Sequence, residues 1–97
     1  MSMANPDDLG RLRNLGPRSR EMLATVGIRT QAELAARGAV RAWDDLRRAG
    51  QPASLNLLWA MVGALEGRDW REVARTDRLD LLMQIEALAE ARRLGCD

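Results

Sequence analysis

Helix starts and stops punctuate this chain at short intervals, and no other feature restricts its fold as tightly. Pro6, after the capping-type residue Asn5, and Pro17, after Gly16, each suit a first helical position, where the missing N–H costs nothing. Thr30-Gln31-Ala32-Glu33 has the spacing of a capping box, and Asp69-Trp70-Arg71-Glu72 resembles one. Ser54 and Asp77 are further start signals, while Gly27, Gly38, Gly50, Gly67 and Gly95 stand where a helix would stop. No segment shows the sustained alternation of apolar and polar residues that a half-buried strand needs. The pattern predicts a compact all-α domain with short helices over about 6–13, 17–26, 30–38, 39–49, 54–66, 69–75 and 78–94.

Apolar spacing indicates which faces turn inward. Leu9 and Leu12 edge the first helix, Leu23 and Val26 the second, and Val40, Trp43 and Leu46 recur at spacings of three. The run 55–65 carries Leu55, Leu57, Leu58, Trp59, Met61, Val62 and Leu65 on all sides, so it is expected as the central buried helix. Leu81, Leu82, Ile85, Leu88 and Ala89 share one side of the last helix. Ninety-seven residues form one domain, which buries about two-thirds of the surface its unfolded chain exposes. The apolar run is too short to span a bilayer, and no charged stretch followed by an apolar one opens the chain, so a soluble cytoplasmic protein without a signal peptide is expected.

Missing residue types exclude whole classes of chemistry. The chain has no His, Lys, Tyr or Phe, and Cys96 is its one cysteine. Ser-His-Asp and Cys-His nucleophiles, Schiff-base lysines and His/Cys zinc sites are therefore ruled out, and no catalytic residue, metal or cofactor is expected. Cys96 reads as an incidental thiol near the C-terminus. Asp7-Asp8 and Asp44-Asp45 are neighbours that do not face one another on a helix; Glu86 and Glu90 share a face but have no further ligand nearby in sequence. Trp43, Trp59 and Trp70 could stack on bases, but as the only aromatics they suit core packing better.

The break at Asn14-Leu15-Gly16 is the feature with a candidate function. Net charge is only +1, yet Arg11, Arg13, Arg18, Arg20 and Arg29 face only Glu21 within residues 11–29. Asn14 and Gly16 both tolerate positive φ, so a tight turn is expected there, with Leu15 folded back into the core. The backbone N–H groups of Leu15, Gly16 and the following first turn would then point outward at a positive helix end, an arrangement suited to an anion. Arg13, Asn14, Leu15, Gly16, Arg18 and Arg20 are the candidate DNA-contacting residues.

Leu12-x-x-Leu15-Gly16-Pro17-x-Ser19-x-x-x-Leu23-x-x-x-Gly27-Ile28-x-Thr30-x-x-x-Leu34 resembles a helix-hairpin-helix motif at residues 6–26, followed by its connector helix. Asn14 stands where the usual hairpin has its first glycine. Leu46-Arg47-Arg48-Ala49-Gly50-Gln51-Pro52 echoes Leu12-Arg13-Asn14-Leu15-Gly16-Pro17 with one inserted residue, compatible with a degenerate second copy. Leu-Gly-Pro-x-Ser, Ser-Leu-Asn-Leu-Leu-Trp-Ala and Gly-Arg-x-Trp, in that order, resemble the C-terminal domain of the TfoX/Sxy family of bacterial proteins associated with natural competence. The resemblance implies a non-enzymatic, DNA-related regulatory module. Two functional expectations follow: weak, sequence-independent contact with the phosphates of duplex DNA, or a protein-interaction module contacting a transcription factor, polymerase or a separate TfoX N-terminal-like domain. The second predicts an exposed apolar patch along Met83 and Leu94, a surface equally compatible with a homodimer.

Overall fold

A computed structural model describes residues 15–95, and its ordered elements are helices: α1 (Pro17–Ala24), α2 (Gln31–Arg37), α3 (Ala39–Arg48), α4 (Leu55–Glu66), α5 (Trp70–Thr76) and α6 (Arg78–Arg93). The expected first helix over 6–13, together with Arg13, Asn14 and Cys96, lies outside the described residues. The local signals act largely as their chemistry dictates. Thr30 Oγ1 accepts from Glu33 N while Glu33 Oε1 accepts from Thr30 N, closing the capping box that starts α2. Ser54 caps α4 by accepting from Leu57 N, and Asp69 caps α5 by accepting from Arg71 N. At the end of α1, Gly27 adopts φ +83, and Ile28 N donates to Leu23 O at 3.0 Å while both side chains are buried. That is a left-handed stop with its accompanying hydrophobic contact.

Gly16 departs from expectation. Its backbone is extended, φ −97 and ψ −176, and not left-handed. The cause is Pro17: a proline ring clashes with an αR or tightly turned predecessor and pushes it into the β region. Gly50, its counterpart in the internal echo, has φ +84, so the two copies do not share a backbone conformation at this position. Leu15 does fold inward and is buried, as the sequence predicts.

The core is one cluster. Leu23, Leu34, Leu46, Leu58, Met61 and Val73 are its largest fully buried side chains, drawn from five of the six helices. α4 is buried continuously from Leu58 to Ala64, which matches its apolar run, while Leu55, Leu57 and Leu65 are half-buried at its margin. α3 nonetheless packs closely on four elements, α1, α2, α4 and α6. Two aromatic rings serve the core directly: Trp59 is buried, and Trp43 is buried with its indole N–H donating to Ser54 O at 2.9 Å. The neighbours Asp44 and Asp45 diverge, Asp44 accepting from Arg92 of α6 and Asp45 accepting from Nε and Nη2 of Arg37 at 2.7 and 2.8 Å. They thereby tie α3 to the helices on either side. α6 is apolar on two sides: Leu81, Ile85 and Leu88 pack inward, whereas Leu79, Met83 and Leu94 are 73%, 62% and 70% exposed.

Candidate nucleic-acid interface

Pro17 starts α1 without an N–H, and Gly16 at the N-cap has no side chain, so the first turn carries no side-chain cap and no acidic residue. Arg20 N donates back to Gly16 O at 3.1 Å, which begins the helical ladder and leaves the preceding amides at the helix end. Gly16, Pro17 and Arg18 are exposed. α3 also starts on an uncapped glycine, but its first residues Ala39 and Val40 are buried. The exposed positive end of α1 is thus flanked by a guanidinium instead of being offset by a carboxylate.

Of the six residues selected from the sequence, four lie among the described residues, and three of them meet at the end of α1. Gly16 and Arg18 sit at the open end of α1, and Leu15 anchors that end by burial. Arg20 points differently: it is half-buried, and its Nε is shielded without a hydrogen-bond partner among the described residues. Leaving such a donor unmet costs on the order of 1–3 kcal/mol. Arg13 and Asn14 lie outside the described residues.

The structure adds residues that sequence reasoning assigned only to capping or packing. Ser19 in the first turn of α1 shares a shallow depression with Ser54 and Asn56 at the start of α4 and with Trp70. Two helix N-termini therefore border one surface of mixed polarity, completed by Leu57 and Ala60, beside a half-buried indole that carries the Arg71 guanidinium 5.2 Å from its ring centroid. The capping role of Ser54 was legible; its proximity to Ser19 was not, because it depends on how α1 packs on α3. Elsewhere on α1, Arg18, Glu21, Met22 and Thr25 form a second depression with Gln51 from the turn after α3. Among the described residues no group of His, Cys, Asp or Glu is arranged to hold a metal ion, and no helix is long and apolar enough to cross a membrane.

Comparison with known proteins bears on the architecture and the family. A crystal structure of an uncharacterized protein from Listeria monocytogenes superposes with a TM-score of 0.73 at 24% sequence identity, covering 84% of this chain and 93% of that one, and so shares its fold. No curated protein matches the chain significantly. The model of the TfoX C-terminal domain matches residues 5–85, which spans α1 to α5 and the first half of α6. The chain belongs to the TfoX C-terminal domain family.

Proposed function

We propose that this domain is a non-enzymatic module that makes weak, sequence-independent contact with DNA phosphates in the regulation of competence or transcription. The observation that carries this reading is the open N-terminus of α1, where exposed Gly16 lets an anion approach the first-turn amides and Arg18 stands beside them. Family membership supports the regulatory setting. Backbone amides and arginines directed at phosphate supply affinity without base readout, and a net charge of +1 keeps that affinity modest.

Fluorescence anisotropy with random-sequence duplex DNA across salt concentrations tests the proposal. The expected result is binding at low ionic strength whose logarithm falls with log salt by about 0.9 per phosphate neutralised. Gly16→Val and Arg18→Glu should each weaken it. An added Cβ at Gly16 meets nothing within 4 Å among the described residues and the backbone there is extended, so a side chain is accommodated while valine crowds the anion's approach. Undiminished binding by both variants, or none by the wild type, would remove the reading.

The exposed α6 face favours a second reading, a protein-interaction module for a transcription factor or a separate TfoX N-terminal-like domain. Large exposed apolar side chains repeated along one helix face are a mark of contact surfaces. Calorimetric titration with a TfoX N-terminal domain should show binding that Met83→Glu abolishes, while light scattering reports whether the same substitution dissolves a homodimer. No heat and no dimer would leave the face without this role.

A further inference from the structure

Trp43 and Trp59 are buried, and core packing accounts for both. Trp70 is different. It stands half-buried at the start of α5 and lines the depression of about 280 Å³ that Ser19 of α1 shares with the head of α4. The Trp43 indole N–H donates to Ser54 O, whereas that of Trp70 has no partner among the described residues. Leu57 and Ala60 give the depression apolar sides, Ser19 and Asn56 give it polar groups, and no carboxylate lines it among the described residues. Asn56 is exposed, with its carboxamide free of hydrogen bonds among the described residues.

An aromatic residue, apolar sides and an open amide suit a flat ring with a polar edge, and a nucleobase is such a ring. Its π-face stacks on an aromatic side chain, and its Watson–Crick edge carries a donor beside an acceptor, the pair that a carboxamide matches. A volume of about 280 Å³ lies just under the range of roughly 300–1,000 Å³ usual for small-molecule sites, which leaves room for one base and none for a base pair. Ser19 joins this depression to the end of α1. Its backbone N–H precedes the first ladder bond, from Arg20 N to Gly16 O, and so belongs to the free amides of the first turn. One helical turn rises about 5.4 Å, so a phosphate at those amides and a base in the depression are within the reach of a single nucleotide.

We infer that the depression at Trp70 receives one unpaired nucleobase, so that the nucleic acid held at the end of α1 is single-stranded. The inference rests on the phosphate contact proposed above and names the class of its ligand. The base lies against Trp70 with Asn56 and Ser19 at its edge, and the exposed Arg71, 5.2 Å from the indole centroid, adds positive charge for an adjoining phosphate. Within a duplex the faces and Watson–Crick edges of the bases are already engaged, which is why the site selects a single strand. Contact remains sequence-tolerant, since every base has a π-face.

An oligodeoxyadenylate and an oligomer of stable abasic sugars, equal in length, carry the same phosphates and differ only in their bases. Titrations at one low salt concentration, followed by anisotropy and by tryptophan emission, compare them. The oligodeoxyadenylate is expected to bind about tenfold more tightly, as stacking of one base on an aromatic side chain implies, and it alone should quench the emission. Trp70→Leu and Asn56→Ala should each narrow the preference; Asn56 is exposed, so its variant still reads the edge contact if Trp70→Leu does not fold. Equal affinity for the two oligomers, or a preference that Asn56→Ala and a folded Trp70→Leu leave unchanged, overturns the inference. Arg18→Glu separates that failure from a failure of the phosphate contact. Equal affinities that Arg18→Glu lowers together would leave the phosphate contact standing and refute the base site. A preference for bases with both affinities indifferent to Arg18→Glu would remove the phosphate contact, and with it a single strand held at α1.

Discussion

Two glycines that look alike in sequence have opposite physical roles. Gly27 has φ +83, a conformation that places a side chain against its own carbonyl, and Gly27→Ala is expected to cost about 1–2 kcal/mol. Gly16 is extended with open space around it among the described residues, so Gly16→Ala should change stability by less than about 1 kcal/mol, the gain from a less disordered unfolded chain being opposed by alanine's poorer fit at an N-cap. Denaturant unfolding of both variants measures the contrast. A glycine at position 16 suggests a left-handed turn by its type alone, but Pro17 sets the backbone of the residue before it. Leu15 was easier to place, since an isolated leucine between turn residues has only the core in which to bury its side chain.

At the level of elements, α2, α4 and α5 begin at the capping residues the sequence marks and α1 at its proline, because such a signal and the amides it concerns lie within three residues of each other, whereas α3 and α6 start without a side-chain cap. The Thr30–Glu33 box shows the strength of such a signal. Arg29 N, at 2.7 Å, and Thr30 N both donate to the Glu33 carboxylate and hold its pKa below the usual range, with the Arg29 bond the larger influence. Thr30→Ala should cost about 1 kcal/mol and fray the first turn of α2, seen as faster amide exchange at Glu33. The relative importance of α3 and α4 was not legible. An apolar run marks α4 as buried, but the number of partners a helix touches depends on packing that no window of sequence contains. α3 shows in sequence only one inward face, Val40, Trp43 and Leu46, and yet packs on four other helices.

For the molecule as a whole, charged ties between distant segments were the least legible feature. Arg92 and Asp44 are 48 residues apart, and nothing in either neighbourhood announces the other. Arg68 ties the end of α4 to the α5–α6 joint: Nη1 donates to Glu66 Oε1 at 2.7 Å and to Asp77 Oδ2 at 2.8 Å, and Nη2 donates to Thr76 Oγ1 and Asp77 Oδ1. Hydrogen bonding from Arg68, helped by Thr76, lowers the Asp77 pKa from 3.8 to about 2. A carboxylate with a depressed folded-state pKa contributes stability above its unfolded value, and that contribution disappears as pH falls through the folded one. Thermal melts should therefore show a loss between about pH 4 and pH 2 that Asp77→Asn removes from the acid limb. The basic end of α1 was anticipated from arginines close together in sequence; the depression at Trp70 was not, because it needs α1, α4 and α5 brought together.

The two apolar sides of α6 raise a problem of orientation. Turned half a revolution about its axis, this helix would offer Leu79 and Met83 in place of Leu81 and Ile85, and in this first half hydrophobic burial, being non-directional, distinguishes poorly between the two settings, while the exposed Glu86 and Glu90 on the same side oppose the turn in the second half. Arg92 distinguishes them well, since the wrong rotation would carry it away from Asp44 and leave a half-buried carboxylate without its partner. The pair thus acts as a key that admits α6 in one rotational setting, and its value to the protein lies less in the strength of the bond than in the misassembled packing it rejects.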